Sequence, residues 1–302
     1  MDLKQLRYFL QICEDKSFSN AAKSLFVTQQ ALSKSIKNME EELQLPLLVR
    51  SNNVLELTEY GEYLYKHSIP IIQEYDILMQ NLNKMSISNH ESIKIGFSNG
   101  VLNALSTEFI ADFSKNHRDI ELDISEHTDL ECEQLILDNK LDMAFLIGPI
   151  DKSKFNSITI KKENMCALVN DDNPLSRKNT LDFVDLKDEN IVILNHKFRT
   201  YYNFVSRCEK AGLTPNITYP VGGILTVHRF SRSNDCVGIS AYFVVDEIGS
   251  SNTKVLPFND ETFVWEICLV TNKDLCMTNN EKKFINYTLN YHNINKKSLG
   301  NY

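Results

Sequence analysis

Apolar residues at Leu3, Leu6, Phe9, Leu10 and Cys13 recur at the three-to-four spacing of a helix. Ser17 then reads as the N-cap of a short second helix that turns Phe18, Ala21, Ala22 and Leu25 inward. The pair of alanines permits a close helix–helix approach. Phe26-Val27 breaks the period, and Thr28 caps a third helix that places Leu32, Ile36, Met39 and Leu43 on one stripe. Short helix, tight turn and longer helix form a helix-turn-helix pattern. Two short β-prone runs, 47–50 and 54–57, flank a Ser-Asn-Asn turn and predict a hairpin, or wing. Thr58 caps a long helix with Leu64, Ser68, Ile71, Tyr75, Leu78, Leu82 and Met85 at heptad spacing, a seam that calls for a partner helix. Pro70 should kink that helix near Lys66-His67.

From residue 92 the pattern alternates between strands and helices. Ile93, Ile95 and Phe97 predict a strand, and Leu102, Leu105, Phe109 and Phe113 a single following helix. Strands at 120–124 and 143–147 with a helix at 129–138 complete a βαβαβ run, which implies a parallel, doubly wound sheet. A second run follows: strand 190–195, a helix stopped at Gly212, strand 236–240 and a short helix from Ala241. Strand 263–271 and helix 278–292 come last. The fold class is α/β, in two lobes.

Composition narrows the function. The chain has 302 residues and is 42% hydrophobic, ordinary for a globular protein of two or three domains. No apolar run reaches the ~20 residues of a membrane span. The first residues lack the apolar core of a signal peptide, which predicts a cytoplasmic protein with no membrane partner. Seven scattered cysteines with no C-x-x-C pair argue against a disulfide framework and against a zinc ribbon. The net charge of −8 disfavours nucleic acid at first sight, but residues 16–39 hold Lys16, Lys23, Lys34 and Lys37 and no acid. A local basic window can bind phosphate. Gln30, Lys34, Lys37 and Glu41 face away from the apolar stripe, with Gln29 and Ser33 on the flank: amides, a hydroxyl and amines suited to base edges and phosphates. The acids Glu40, Glu41 and Glu42 must then point away from DNA. Arg50 is the one cation of the wing.

Residues 1–65 resemble the winged helix-turn-helix of LysR-type transcriptional regulators. The resemblance rests on Leu3-x-x-Leu6-x-x-Phe9, Ser17-Phe18-Ser19-x-Ala21-Ala22-x-x-Leu25, Val27-Thr28-Gln29-Gln30-Ala31-Leu32-Ser33-Lys34-x-Ile36, Glu41-x-Leu43, Leu48-x-Arg50 and Leu57-Thr58-x-x-Gly61-Glu62. Gln30 stands where the family usually has proline, and the wing turn is neutral. The later motifs Ile95-Gly96, Leu141-Asp142-x-Ala144, Asn173-Pro174-Leu175 and Gly238-Ile239-Ser240 resemble the family's periplasmic-binding-protein-like effector domain. The resemblance implies a DNA-binding domain over 1–58, a linker and dimerisation helix over 59–89, and an effector-binding domain over 90–302. Lobe I would take 90–162 and 265–302, and lobe II 163–264. Ser17, Thr28, Gln29, Gln30, Ser33, Lys34, Lys37 and Arg50 become the candidate contacts to double-stranded DNA.

Ligands of open α/β sheets bind beyond the carboxyl ends of strands. Those ends nominate Ser98, Asn99, Thr128, Gly148, His196 and Lys197, of which Ser98, Thr128 and the 196–197 segment match the family's effector-contact positions. Hydroxyls facing a histidine and a lysine suggest a small carboxylate or other anion as effector. His228 and Arg229 read as helix surface. The implied partners are DNA, a small-molecule effector and a second copy in a homodimer, with a homotetramer as the larger assembly. No metal, cofactor or catalytic residue is expected: the sequence holds no G-x-S-x-G, Walker A loop, H-E-x-x-H or complete G-x-G-x-x-G. The competing readings are a thiol-based redox regulator of the same fold and a ligand-binding protein or enzyme without DNA activity.

Overall fold

A computed structural model describes residues 1–51, 54–86, 92–233, 235–249 and 252–294. The chain divides into two compact units, Met1–Ser86 and Ile87–Tyr302.

In the first unit, α1 (Leu3–Asp15) starts at a capping box in which Asp2 and Gln5 exchange backbone and side-chain bonds. Next come α2 (Phe18–Ser24) and α3 (Gln29–Leu43). Strands β1 (Leu48–Ser51) and β2 (Val54–Leu57) pair antiparallel, and α4 spans Glu59–Ser86 through Pro70. Phe9, Ile12, Ala21, Ala22, Leu32, Ile36, Met39 and Leu47 form the buried core. Each large apolar side chain there contributes roughly 1.5–3 kcal/mol. Gly61 explains part of the Leu57-Thr58-x-x-Gly61 motif. A Cβ at that position would sit 2.1 Å from the Leu47 carbonyl oxygen, so only glycine lets α4 start against the hairpin.

The long helix has two apolar faces, not one seam. Ser68 and Ile72 are buried, and Arg7 of α1 is ion-paired to Asp76 of α4. Ile71, Tyr75, Leu78 and Leu82 are exposed. Ser68 therefore belongs to the face turned into this unit, because its heptad position falls beside Ile72 rather than beside Ile71. Met85 lies where side chains are outside the described residues.

The second unit is built on one mixed sheet. Strands β3 (Ser92–Ser98), β4 (Glu121–His127) and β5 (Met143–Ile147) are parallel, as are β7 (Asn190–Leu194), β8 (Asn216–Val221) and β9 (Val237–Ala241). Between these groups run β6 (Phe155–Asn170) and β11 (Val264–Asn272), both antiparallel to their neighbours, and β10 (Thr253–Pro257) pairs with β6. The order is β4-β3-β5-β11-β6-β9-β7-β8. The expectation of a parallel sheet is thus corrected at the two crossing strands. β6 pairs with β11 up to Asn164 and with β9 from Met165, so one long strand serves both lobes.

A second correction concerns the first helix of this unit. It is two helices, α5 (Val101–Leu105) and α6 (Glu108–Asn116). Ser106 breaks them with φ +72, and its hydroxyl accepts from the Glu108 N–H at 3.1 Å. The apolar period runs across the break, which hid it. The remaining helices are α7 (Asp129–Leu137), α8 (Arg199–Lys210), α9 (Ile224–Ser231), α10 (Tyr242–Ile248) and α11 (Asn279–Tyr291). Phe97 and Phe145 stack at 4.8 Å, and Phe113 meets Phe284 edge-on at 5.0 Å, joining sheet, α6 and α11 in one core. Among the described residues no helix is long and apolar enough to cross a membrane.

Candidate functional site

The helix-turn-helix owes its shape to local caps. The Ser17 hydroxyl accepts from the Asn20 N–H at 3.3 Å, and that of Thr28 from the Ala31 N–H at 3.2 Å. Each satisfies a donor that its helix leaves open. With Leu32, Ile36 and Met39 fully buried, the opposite side of α3 presents Gln29, Gln30, Ser33, Lys34 and Lys37 to solvent. Thr28 is exposed and Ser17 half-buried at the adjacent helix start.

The acidic run near the end of α3 is dispersed by its partners. Glu40 accepts from the N–H groups of Leu47 and Leu48 at 2.7 and 3.2 Å and so anchors the hairpin. Glu42 pairs with the chain's amino group. Glu41 lies 3.5 Å from Lys37, which partly offsets that lysine's charge. Sequence reasoning missed the anchoring role of Glu40, whose signal is only its distance of seven residues from Leu47. Arg50 is in β1, opposite Leu55. The reach of its side chain, and the turn at 52–53, lie outside the described residues.

In the second unit a cavity of about 130 Å³ opens between the lobes. Asn99, Gly100 and Asn103 line it from the β3–α5 side, and Met165 and Trp265 from the crossing strands. Leu194 and Thr200 contribute from β7 and α8, Ile224 and Leu225 from α9. The segment from Ile239 to Ala241, with Phe243 and Val244, closes the wall. Of the six nominated effector residues, the structure brings only Asn99 into this lining.

Of the other five, Ser98, Thr128 and Gly148 lie beside a contact between the lobes. Asp129, the first residue of α7, is fully buried. Its carboxylate accepts from the N–H of Ile147 in lobe I and of Arg199 at the start of α8, each at 3.0 Å. Burial raises its pKa, and the two backbone donors, Ser98 and Arg199 draw it back. The Arg199 guanidinium bonds the Ile147 carbonyl at 3.2 Å and pairs with Glu133. Ser98 is buried beside Asp129, and its hydroxyl makes no well-formed hydrogen bond. Thr128 spends its hydroxyl on the α7 capping box with Glu131. Gly148 accepts at its carbonyl from the Asn203 amide at 2.9 Å. His196 is exposed, and Lys197 is exposed and pairs with Glu131 at 3.5 Å. His196 and Lys197, nominated for an anionic effector, therefore stand outside the cavity lining, and the Lys197 ammonium turns toward Glu131 of α7.

His228 corrects a different expectation. It is buried, not on the helix surface, and its Nε2 lies 2.8 Å from the Ser240 hydroxyl in the cavity wall. Desolvation by burial, with repulsion from Arg232, lowers its pKa to about 4, so the ring is neutral near pH 7. Arg229 is exposed as expected. The signal missed for His228 was its place four residues after Ile224 and beside Val227 on the inward arc of α9.

Two family models match the chain. Residues 3–62 match the bacterial regulatory helix-turn-helix protein of the lysR family, and residues 87–292 match the LysR substrate binding domain. The chain belongs to the LysR family. It is a transcriptional regulator in which a DNA-binding helix-turn-helix is joined to an effector-binding domain. The resemblance read from residues 1–65, and the α/β architecture, are borne out. Among relatives, an uncharacterized HTH-type transcriptional regulator of Bacillus subtilis, YwbI, is 26% identical over 291 residues, covering 96% of this chain and 97% of its own. The transcriptional dual regulator GltC of the same organism is 28% identical over 221 residues, covering 72% and 73%. Solved structures share the fold. Corynebacterium glutamicum OxyR, as its C206 mutant, gives a TM-score of 0.58 at 19% identity, over 98% of this chain and 94% of that one. Full-length CbnR complexed with its target DNA gives 0.54 at 16%, over 97% and 100%.

Proposed function

We propose that this LysR-family regulator reads double-stranded DNA with α3 and senses an effector in the interlobe cavity. Gln29, Gln30, Ser33, Lys34 and Lys37 enter the major groove, Ser17 and Thr28 abut the backbone at the helix starts, and Arg50 holds a phosphate from the wing. The observation that carries this reading is the exposed polar arc of α3 opposite a fully buried apolar stripe. The working division is DNA binding over 1–58, a linker helix over 59–89 and effector binding over 90–302. Two chains pair through the exposed face of α4, since Ile71, Tyr75, Leu78 and Leu82 need a cover and two half-sites need two reading heads. A tetramer is a pair of such dimers. The protein acts on DNA in the cytoplasm and carries no catalytic chemistry of its own.

Retardation of operator fragments by the full chain tests this. Lys34→Ala should weaken binding by roughly 1–3 kcal/mol if Lys34 meets a guanine, with relaxed specificity at that base. A Lys34→Ala protein that binds the operator like the parent would refute the placement of α3. Leu78→Glu should sediment as a monomer and lose the dimeric complex; a Leu78→Glu dimer would refute the interface.

Six of the seven cysteines weigh against the thiol-redox alternative. Burial pushes the thiols of Cys13, Cys132, Cys166, Cys208 and Cys268 up to about 12 and that of Cys236 to about 11, which suppresses the reactive thiolate.

A further inference from the structure

The cavity wall contrasts with the polar cluster beside it. Among the described residues its lining includes no Asp, Glu, Lys, Arg or His. Its polar side chains are those of Asn99, Asn103, Thr200 and Ser240. The remainder is aliphatic or aromatic, with Trp265 stacked on Phe243 at 5.0 Å and 14°. Three cations close in sequence to the wall are engaged elsewhere. Arg199, beside Thr200, turns its guanidinium to Ile147 and Glu133. Lys197 pairs with Glu131. Lys161 reaches the Ala104 carbonyl and Glu163.

A buried carboxylate needs a formal counter-charge or a full set of donors to offset its lost hydration. The first turns of α8 and α9 reach the wall through Thr200 and Ile224, and a helix start carries only about half a charge. That suits an acceptor oxygen better than a whole anion. The volume is near the ~150 Å³ of an apolar cavity that takes benzene.

We propose that the interlobe cavity selects an uncharged, mainly apolar effector about the size of one aromatic ring, with one or two oxygens held by Asn99, Asn103, Thr200 and Ser240. This rests on the reading of the cavity as the effector site, and replaces the expected small anion with a neutral ligand class. Trp265 is the only tryptophan in the chain and forms part of the wall, so its emission reports occupancy.

Titrating the full chain with benzyl alcohol and with benzoate compares one ring with and without a charge. Benzyl alcohol should change Trp265 emission saturably, with a dissociation constant at least tenfold below that of benzoate. Equal or tighter benzoate binding overturns the proposal, as does the absence of a saturable response to benzyl alcohol. Asn103 is exposed at the rim, so Asn103→Lys should fold and should improve benzoate binding at least tenfold; an unchanged preference in that variant also counts against the idea. Operator retardation by the same preparations reports on the parent reading separately. If the DNA complex ignores a cavity-filling Val244→Phe substitution, the cavity is not the effector site, whatever it binds.

Discussion

The two units of this chain put their functional residues together in opposite ways. In the helix-turn-helix, the candidate DNA contacts from Thr28 to Lys37 lie on one helix and are positioned by caps three residues away. In the effector unit, the cavity is assembled from residues as far apart as Asn99 and Trp265, on strands that pair across more than a hundred positions. A local site can be built by periodicity and capping alone. A distributed site depends on which strands become neighbours.

The largest test of that contrast is Asp129. Truncation in Asp129→Ala would leave the buried N–H of Ile147 and the half-buried N–H of Arg199 without this acceptor. The expected loss is roughly 2–5 kcal/mol, since each orphaned buried donor costs about 1–3. Urea unfolding followed by Trp265 emission reads the effector unit directly. Asp129→Asn keeps an acceptor oxygen and should lose less. Equal, near-zero losses in both variants would show that the lobes are held by packing alone.

His228 supplies a smaller effect with a defined sign. Its folded pKa, about 4, lies below the ordinary 6.5 because burial opposes the charged ring, and Arg232 adds repulsion. Between those values the unfolded chain binds more protons than the folded one. The stability is therefore present above pH 6.5 and is lost as pH falls toward 4. By pH 5 the loss amounts to roughly 2 kcal/mol. His292, also shifted downward by burial, acts in the same sense and stays in the variant. His228→Gln should flatten most of the slope between pH 7 and 5 in Trp265-monitored unfolding. A slope unchanged by the substitution would remove His228 from the account.

The same contrast explains what the sequence could reveal. Ser17, Thr28 and Thr58 were legible as caps because a cap needs only a donor three residues on. The paired wing strands were legible from the β-prone runs flanking a turn. By contrast, β6 was invisible: Lys161, Lys162 and Glu163 interrupt its apolar pattern where it changes partners between lobes. β8 alternates half-buried and exposed residues, and β10 is five residues long, so neither announces itself. Strand ends brought attention to Asn99, which lines the cavity. They also nominated Lys197, whose ion pair with Glu131 no spacing rule could foresee.

The smallest expected change returns to the helix-turn-helix, where a local rule is broken. Phe26 closes α2 with φ +55, and its neighbour Val27 bonds back to the Ala22 carbonyl at 3.0 Å, the long return bond of a Schellman turn. That position favours glycine or asparagine, because a larger side chain meets its own backbone there. The Phe26 ring is 95% exposed, so it recovers almost nothing by burial. Phe26→Asn should therefore stabilise the first unit by roughly 0.5–1 kcal/mol, seen as a higher midpoint in helix-monitored thermal unfolding. Phe26→Gly should gain less, since glycine also loosens the unfolded chain. A loss of stability in Phe26→Asn would mean that the ring is covered in the assembled protein, and that the local cost of the turn is repaid by a contact made outside the single chain.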